Sequence, residues 1–274
     1  MSDVRPSAVA GSWYPGTSAG LAQAIDVHLA SVPYGATAGC PRAIIAPHAG
    51  LTYSGPVAAY AYALVQRCQY SAVVLVGPSH FVGFKGVSLW SRGTWQTPFG
   101  DVAVATELAA AIAAESPEVL EHPEAHGREH SLELQLPFVA HLLPGVPIVP
   151  LVMGYQTRET AFALGDALAR ALGSRAGNVL IVASSDLSHY EDAATASRLD
   201  AVVLGHVESF DAEGLMDALE REPRHACGGG PVVSVLRASA QRGATRAQVL
   251  RYADSGDVSG DKSSVVGYMA AAIY

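Results

Sequence analysis

Four short stretches of this 274-residue chain, residues 43–46, 73–76, 148–152 and 179–183, are apolar at every position rather than at alternate ones. A strand with that pattern has to be covered on both faces, which points to a largely parallel sheet between layers of helix. Helical spacing runs through residues 18–30, 56–67, 107–114, 131–143, 159–172, 193–210, 213–220 and 232–240, and its alternation with the strands predicts an α/β fold. Residues 87–90 and 101–104 flank the Gly- and Pro-punctuated stretch 93–100 and read as an antiparallel excursion. Residues 249–253 and 265–273 read as a second hairpin, so the central sheet is expected to be mixed. No repeat or linker interrupts the pattern, and residues 1–274 are read as one domain.

Composition excludes several functions. A formal charge of −8 with no Lys/Arg cluster offers nothing to a polyanion, so nucleic acid is not expected as a partner. Apolar runs are short and the first residues lack the layout of a signal peptide, which leads to the expectation of a soluble, cytoplasmic chain with no membrane association. The cysteines Cys40, Cys68 and Cys227 are odd in number in a chain too large to need staples, and all three are expected unpaired. Cys68 reads as a small buried hydrophobe and Cys40 as part of a turn.

The chemistry gathers where apolar strands stop. Residues 44–46 run into Pro47-His48-Ala49-Gly50, residues 74–76 into Gly77-Pro78-Ser79-His80, and residues 180–182 towards Ser184-Ser185-Asp186-Leu187-Ser188-His189. Ligands of open α/β sheets sit beyond the carboxyl ends of the strands, so His48, His80, Asp186 and His189 are expected to face one cavity. Neutral imidazole is a common metal ligand and titrates near neutrality. His130 and Glu133, three apart in Gly127-Arg128-Glu129-His130-Ser131-Leu132-Glu133, would share a face if helical; they read equally as a cavity edge or as a helix-start feature. Cys227 lies in Cys227-Gly228-Gly229-Gly230-Pro231 ahead of an apolar helical run, a position that favours a thiolate. The remaining histidines, His28, His122, His126, His141, His206 and His225, read as ordinary helix or loop residues. Phosphate-binding glycine motifs and a Gly-x-Ser-x-Gly elbow are absent.

Six motifs in order, Val9-Ala10-Gly11-Ser12-Trp13-Tyr14-Pro15, Ala46-Pro47-His48-Ala49-Gly50 with Tyr53-Ser54-Gly55, Gly77-Pro78-Ser79-His80, Glu129-His130-Ser131-Leu132-Glu133, Ser184 to His189, and Cys227-Gly228 ending at Pro231, resemble the Memo family across essentially the whole chain. The resemblance implies a fold similar to the LigB-like class III extradiol ring-cleavage dioxygenases, a non-haem iron group. It implies metal ligation by His48, His80 and Cys227, with Asp186 and His189 in the pocket, His189 as acid/base, and His130 and Glu133 at its wall. A cysteine where the dioxygenases use a carboxylate shifts metal preference, so iron(II) is expected first, with copper or zinc as alternatives. Relatives encoded with a radical S-adenosylmethionine protein and an AMMECR-type protein imply a functional link to both, and animal relatives imply peptide binding. Three functions follow: a metal-dependent, dioxygenase-like redox enzyme on a small molecule; a metal-handling or peptide-binding adaptor; or a zinc hydrolase.

Overall fold

The computed structural model describes residues 3–33, 39–173 and 178–274. A nine-stranded mixed sheet forms its centre. Ala43–Ala46, Val179–Ser184, Ala72–Pro78 and Ile148–Met153 lie side by side in that order, all parallel. Val87–Leu89 adds antiparallel to Ile148–Met153, and Val265–Ile273 adds antiparallel to Ala43–Ala46. Ala247–Asp254 then pairs antiparallel with Val265–Ile273, as the terminal hairpin pattern predicts. The α/β architecture with a mixed, largely parallel sheet flanked by helices is therefore observed.

The uninterrupted apolar runs find their cause in two separate cores. Ile45, Val74, Val76, Val149, Leu151 and Ile181 pack into one cluster with side chains of the helices Arg158–Gly173, Ala193–Glu208 and Gly229–Gln241. Their immediate neighbours Ile44, Val73, Leu75, Ile148, Leu180 and Val182 join the other, with the helices Ser18–Ala30, Leu51–Val65 and Leu136–Leu142. Alternation of side chains across a strand sends successive residues to opposite layers, so both must be apolar. Local signals set the helix starts: Asp192 accepts from Ala194 N and Thr195 N, both at 3.1 Å, and Asp211 accepts from Gly214 N at 2.8 Å.

Val179–Ser184 is inserted between Ala43–Ala46 and Ala72–Pro78, two strands made well before it, and this places the site. The helix Leu51–Val65, which connects Ala43–Ala46 to Ala72–Pro78, covers one face, while Arg158–Gly173, which leads to Val179–Ser184, covers the other. Connections that diverge to opposite faces leave a crevice beyond the strand ends. Ala46 stands opposite Ser184, and Val76 opposite Ala183, so the loops starting at Pro47, Ser79 and Ser185 open at the same end.

Four expectations need correction. Residues 93–100 contain a strand, Thr94–Thr97, which pairs antiparallel with Gly100–Ala103 and parallel with Val4–Arg5 in a separate three-stranded sheet. Gly93 makes this possible: its φ of +82° and its passage against Asp3 O leave no room for a Cβ. Residues 131–143 are not one helix, because a 3-10 turn, Glu133–Gln135, precedes the short helix Leu136–Leu142, and His130 lies outside both. The first turn of the helix expected at residue 56 starts instead at Leu51, whose N–H donates to Trp13 O. Finally, Cys40 and Cys68 are joined in a disulfide that closes a 28-residue separation.

That bond ties the entry of strand Ala43–Ala46 to the exit of helix Leu51–Val65, bracketing the unit that carries His48. Closing a loop of this size removes about 3.6 kcal/mol of unfolded-chain entropy. Reduction, or Cys40→Ser, is expected to lower Tm by about 5–10 °C while leaving metal affinity unchanged, as calorimetry and metal titration on the same sample would show. Among the described residues no helix is long and apolar enough to cross a membrane.

Candidate metal centre

The residues singled out at the strand ends meet, though not all in the same way. Nitrogen atoms of His48, His80 and His130 lie within 4.8 Å of one another. His80 and His130 stack with ring centroids 4.5 Å apart, and His48 meets both edge-on at 5.2 and 5.6 Å. Cys227 Sγ approaches on the His48 side, 3.3 Å from Nε2. An ion bonded to both at about 2.3 Å (sulfur) and 2.1 Å (nitrogen) spans ~3.1 Å at an octahedral angle and ~3.6 Å at a tetrahedral one. The observed separation falls between these, so this pair fits a shared metal with no backbone movement.

Each donor is set by its surroundings. Glu129, fully buried, accepts from His80 N at 2.6 Å and from His80 Nδ1 at 2.9 Å, which turns the other ring nitrogen of His80 to the cluster. It also accepts from His130 N and Ser131 N, both at 2.8 Å. Burial works to raise the Glu129 pKa, but the bonds and charge from His80 and the backbone N–H groups outweigh it and hold the carboxyl at about 2. Burial lowers the His48 pKa well below its usual value, with the neighbouring His80, His130 and His189 adding to the effect. Burial likewise lowers His130 to about 4 against the opposing charge of Glu129. Neutral imidazoles, with a lone pair to give, are what a cation requires.

Cys227 departs from the expectation of a favoured thiolate. Burial, then the nearby Asp186 charge, push its thiol well above the ordinary value, and these outweigh its place ahead of the helix Gly229–Gln241. A bound cation reverses that balance, since a coordinating thiol is deprotonated. The turn itself is tightly held. Cys227 N donates to Asp186 O at 3.2 Å, Gln156 bridges Cys227 O and Gly230 N at 2.6 and 2.8 Å, and a Cβ on Gly228 would stand 2.4 Å from Ser184 O.

Asp186 and His189 stand beside the cluster. Asp186 Oδ1 accepts from His48 N and Ala49 N at 2.7 and 3.3 Å; burial nevertheless raises its pKa to about 7. His189 Nε2 lies 4.0 Å from Asp186 Oδ2 and is buried without a hydrogen-bond partner. His189 and Glu191 pair with Val265–Ile273 across a bulge at Tyr190, which has a φ of +63°, and such bulges re-aim the adjoining side chains.

Glu133 is placed elsewhere. Its fully buried carboxylate is paired with Arg5 and accepts from Ala8 N, Val9 N and Tyr14 OH at 2.8, 3.0 and 2.7 Å, so it anchors the N-terminal segment. That segment then reaches the site through Trp13, whose ring lies 4.5 Å from that of His130. Glu129 and Trp13, which carried no assigned role in the sequence, are the functional residues that reasoning missed. A carboxylate adjoining a candidate histidine was the available signal for Glu129. His126, expected in a loop, is fully buried in the short helix Glu124–Gly127, where burial and the Arg5 charge hold its pKa at about 3.

A family model described as "Memo-like protein" matches residues 5–272. The chain belongs to the Memo family. Its relatives include a MEMO1 family protein of Methanothermobacter thermautotrophicus, 38% identical over 272 residues, covering 97% of this chain and 98% of that one. A MEMO1 family protein of Methanocaldococcus jannaschii is 36% identical with both chains fully covered. One of Methanosarcina mazei is 41% identical over 82% of this chain and 83% of its own. Among solved structures, an uncharacterized protein of Escherichia coli K12 matches with a TM-score of 0.57 at 16% identity, covering 83% of this Memo-family chain and 98% of its own. That likeness concerns the fold alone.

Proposed function

We propose that this Memo-family chain holds one metal ion through His48, His80 and Cys227, with His130 as a further donor, and that it is a dioxygenase-like redox enzyme acting on a small molecule. The convergence of three imidazoles within 4.8 Å, with a thiol 3.3 Å from one of them, carries the reading. A donor set mixing imidazole with sulfur suits iron(II), the expected metal, and also accommodates copper or zinc. Bound there, the ion supplies Lewis acidity and, if redox-active, electron transfer.

The chain's own residues handle the rest. Glu129 fixes His80, and the buried ring of His48 offers its Nε2 beside Cys227. Asp186, with a pKa of about 7, and the unpartnered Nε2 of His189 can hold and move a proton at the edge of the site. Trp13 and Phe81, exposed by 40% and 51%, flank His130 and offer flat apolar surface to an incoming ligand. The same exposed rings support the second reading, a peptide-binding adaptor without turnover. The link to a radical S-adenosylmethionine protein and an AMMECR-type protein, and a cytoplasmic location, are proposals that rest on the family resemblance and on composition.

Elemental analysis after anaerobic purification without added metal tests the reading. Wild type is expected to carry about one ion per chain, His48→Ala and Cys227→Ser to lose at least ~10-fold in affinity, and His189→Ala to keep its metal. Absence of specific metal binding in wild type would defeat the proposal. Zinc alone, with no redox cycling, would turn it towards hydrolysis.

A further inference from the structure

We propose that Ser184 is a positioning residue that selects the ring tautomer of His48, so that the proton sits on Nδ1 and the Nε2 lone pair faces Cys227. The argument is a count of protons in a sealed network. Ser184, Gln135, Tyr62 and His48 are all essentially inaccessible to solvent, so no water can substitute for a missing partner.

The Ser184 hydroxyl has one proton and two lone pairs. Three groups surround Oγ: Ser131 O at 2.7 Å, Gln135 Nε2 at 2.8 Å and His48 Nδ1 at 2.9 Å. Ser131 O is a carbonyl and can only accept, so it takes the hydroxyl proton. The Gln135 amide is oriented independently, because its Nε2 lies 3.0 Å from Pro47 O, another obligate acceptor, while Tyr62 OH donates to its Oε1 at 2.8 Å. Gln135 therefore donates to Ser184. With the proton spent and one lone pair filled, Ser184 has only an acceptor left for His48. Nδ1 must carry the hydrogen, and the neutral ring then leaves Nε2 bare, 3.3 Å from Cys227 Sγ.

The opposite tautomer would set Nδ1 lone pair against oxygen lone pair at 2.9 Å and point an N–H at the metal position. Five buried groups on separate elements thus converge on the protonation of one ring. Glu129 does the equivalent for His80 by charge; for His48 the device is neutral, which avoids a second buried carboxylate beside Asp186.

The tautomer itself can be read in metal-free protein by ring ¹⁵N NMR of histidine-labelled samples. Wild type is expected to show a non-protonated Nε2 and a protonated Nδ1 for His48. Ser184→Ala should shift His48 to a mixture or to the opposite tautomer, and Ser184→Thr should restore the wild-type pattern. Ser184→Cys, close in volume and a poor acceptor, gives a second test should the alanine variant fold badly. A wild-type tautomer preserved in both Ser184→Ala and Ser184→Cys would overturn the proposal. A second arm rests on the metal-centre reading: titration with Co²⁺ should show a loss of ~10–100-fold in Ser184→Ala and near-wild-type affinity in Ser184→Thr. Failure of wild type to bind Co²⁺ would sink the metal-centre reading, while the NMR arm would still decide the role of Ser184.

Discussion

Glu129→Ala is expected to cost this protein both stability and metal. The carboxylate, itself buried, receives the backbone N–H groups of His130 and Ser131 in a buried setting and the backbone N–H and Nδ1–H of the partly exposed His80. Each buried donor left without a partner costs about 1–3 kcal/mol, and partial relaxation leaves a net loss on the order of 4 kcal/mol. In a chain of this length the corresponding drop in Tm is roughly 10 °C. Freed from its anchor, the His80 ring samples orientations that turn its lone pair away, and affinity for a divalent ion should fall by ~10–100-fold. Thermal unfolding and competitive metal titration check the two effects separately. An unchanged melting temperature with unchanged affinity would contradict the role assigned here.

Arg5→Ala should be the costliest change far from the strand ends. Its guanidinium pairs with the buried Glu133, donates through Nε to His126 O at 3.1 Å, and lies 4.4 Å over the Trp95 ring. Breaking a buried pair by removing one partner costs about 3–5 kcal/mol, because the remaining charge stays desolvated. The matched control is Arg158→Ala, whose partners Asp217 and Glu220 are half exposed, and which should leave denaturant midpoints close to wild type. A double-mutant cycle of Arg5→Met with Glu133→Gln is expected to recover part of the loss. Equal midpoints for Arg5→Ala and Arg158→Ala would show that the buried pair carries no special weight.

The fold was legible wherever one physical requirement dominated. Strands sandwiched between helices need apolar residues at every position, and residues 43–46, 73–76 and 179–183 display that need directly. That His48, His80, Asp186 and His189 stand near one another was readable from strand polarity, since their three loops leave neighbouring parallel strands at the same end; His130, which read equally as a helix-start feature, joins them from the segment between Glu124–Gly127 and Glu133–Gln135. Other features were hidden because their causes are non-local. Glu129 and Glu133 differ by four positions in sequence yet serve opposite ends of a buried network, and only the path of the N-terminal segment decides which takes Arg5. Cys40 and Cys68 looked solitary because their pairing depends on where a strand begins and a helix ends in space. The bond also sets a condition on the expected cytoplasmic location, since disulfides persist where thiols are not kept reduced.

The position of Val265–Ile273 has a consequence for biosynthesis. This strand, which follows the other described strands in the chain, lies inside the sheet between Ala43–Ala46 and Ala247–Asp254, and the Cys227–His48 approach spans 179 positions. A growing polypeptide on the ribosome therefore exposes the apolar edge of Ala43–Ala46 until residues 265–273 have been made, a long window in which unpaired edges invite misassembly. Such a molecule should depend on chaperone protection during synthesis, and the loops carrying His48 and Cys227 cannot come together before residue 227 has been made.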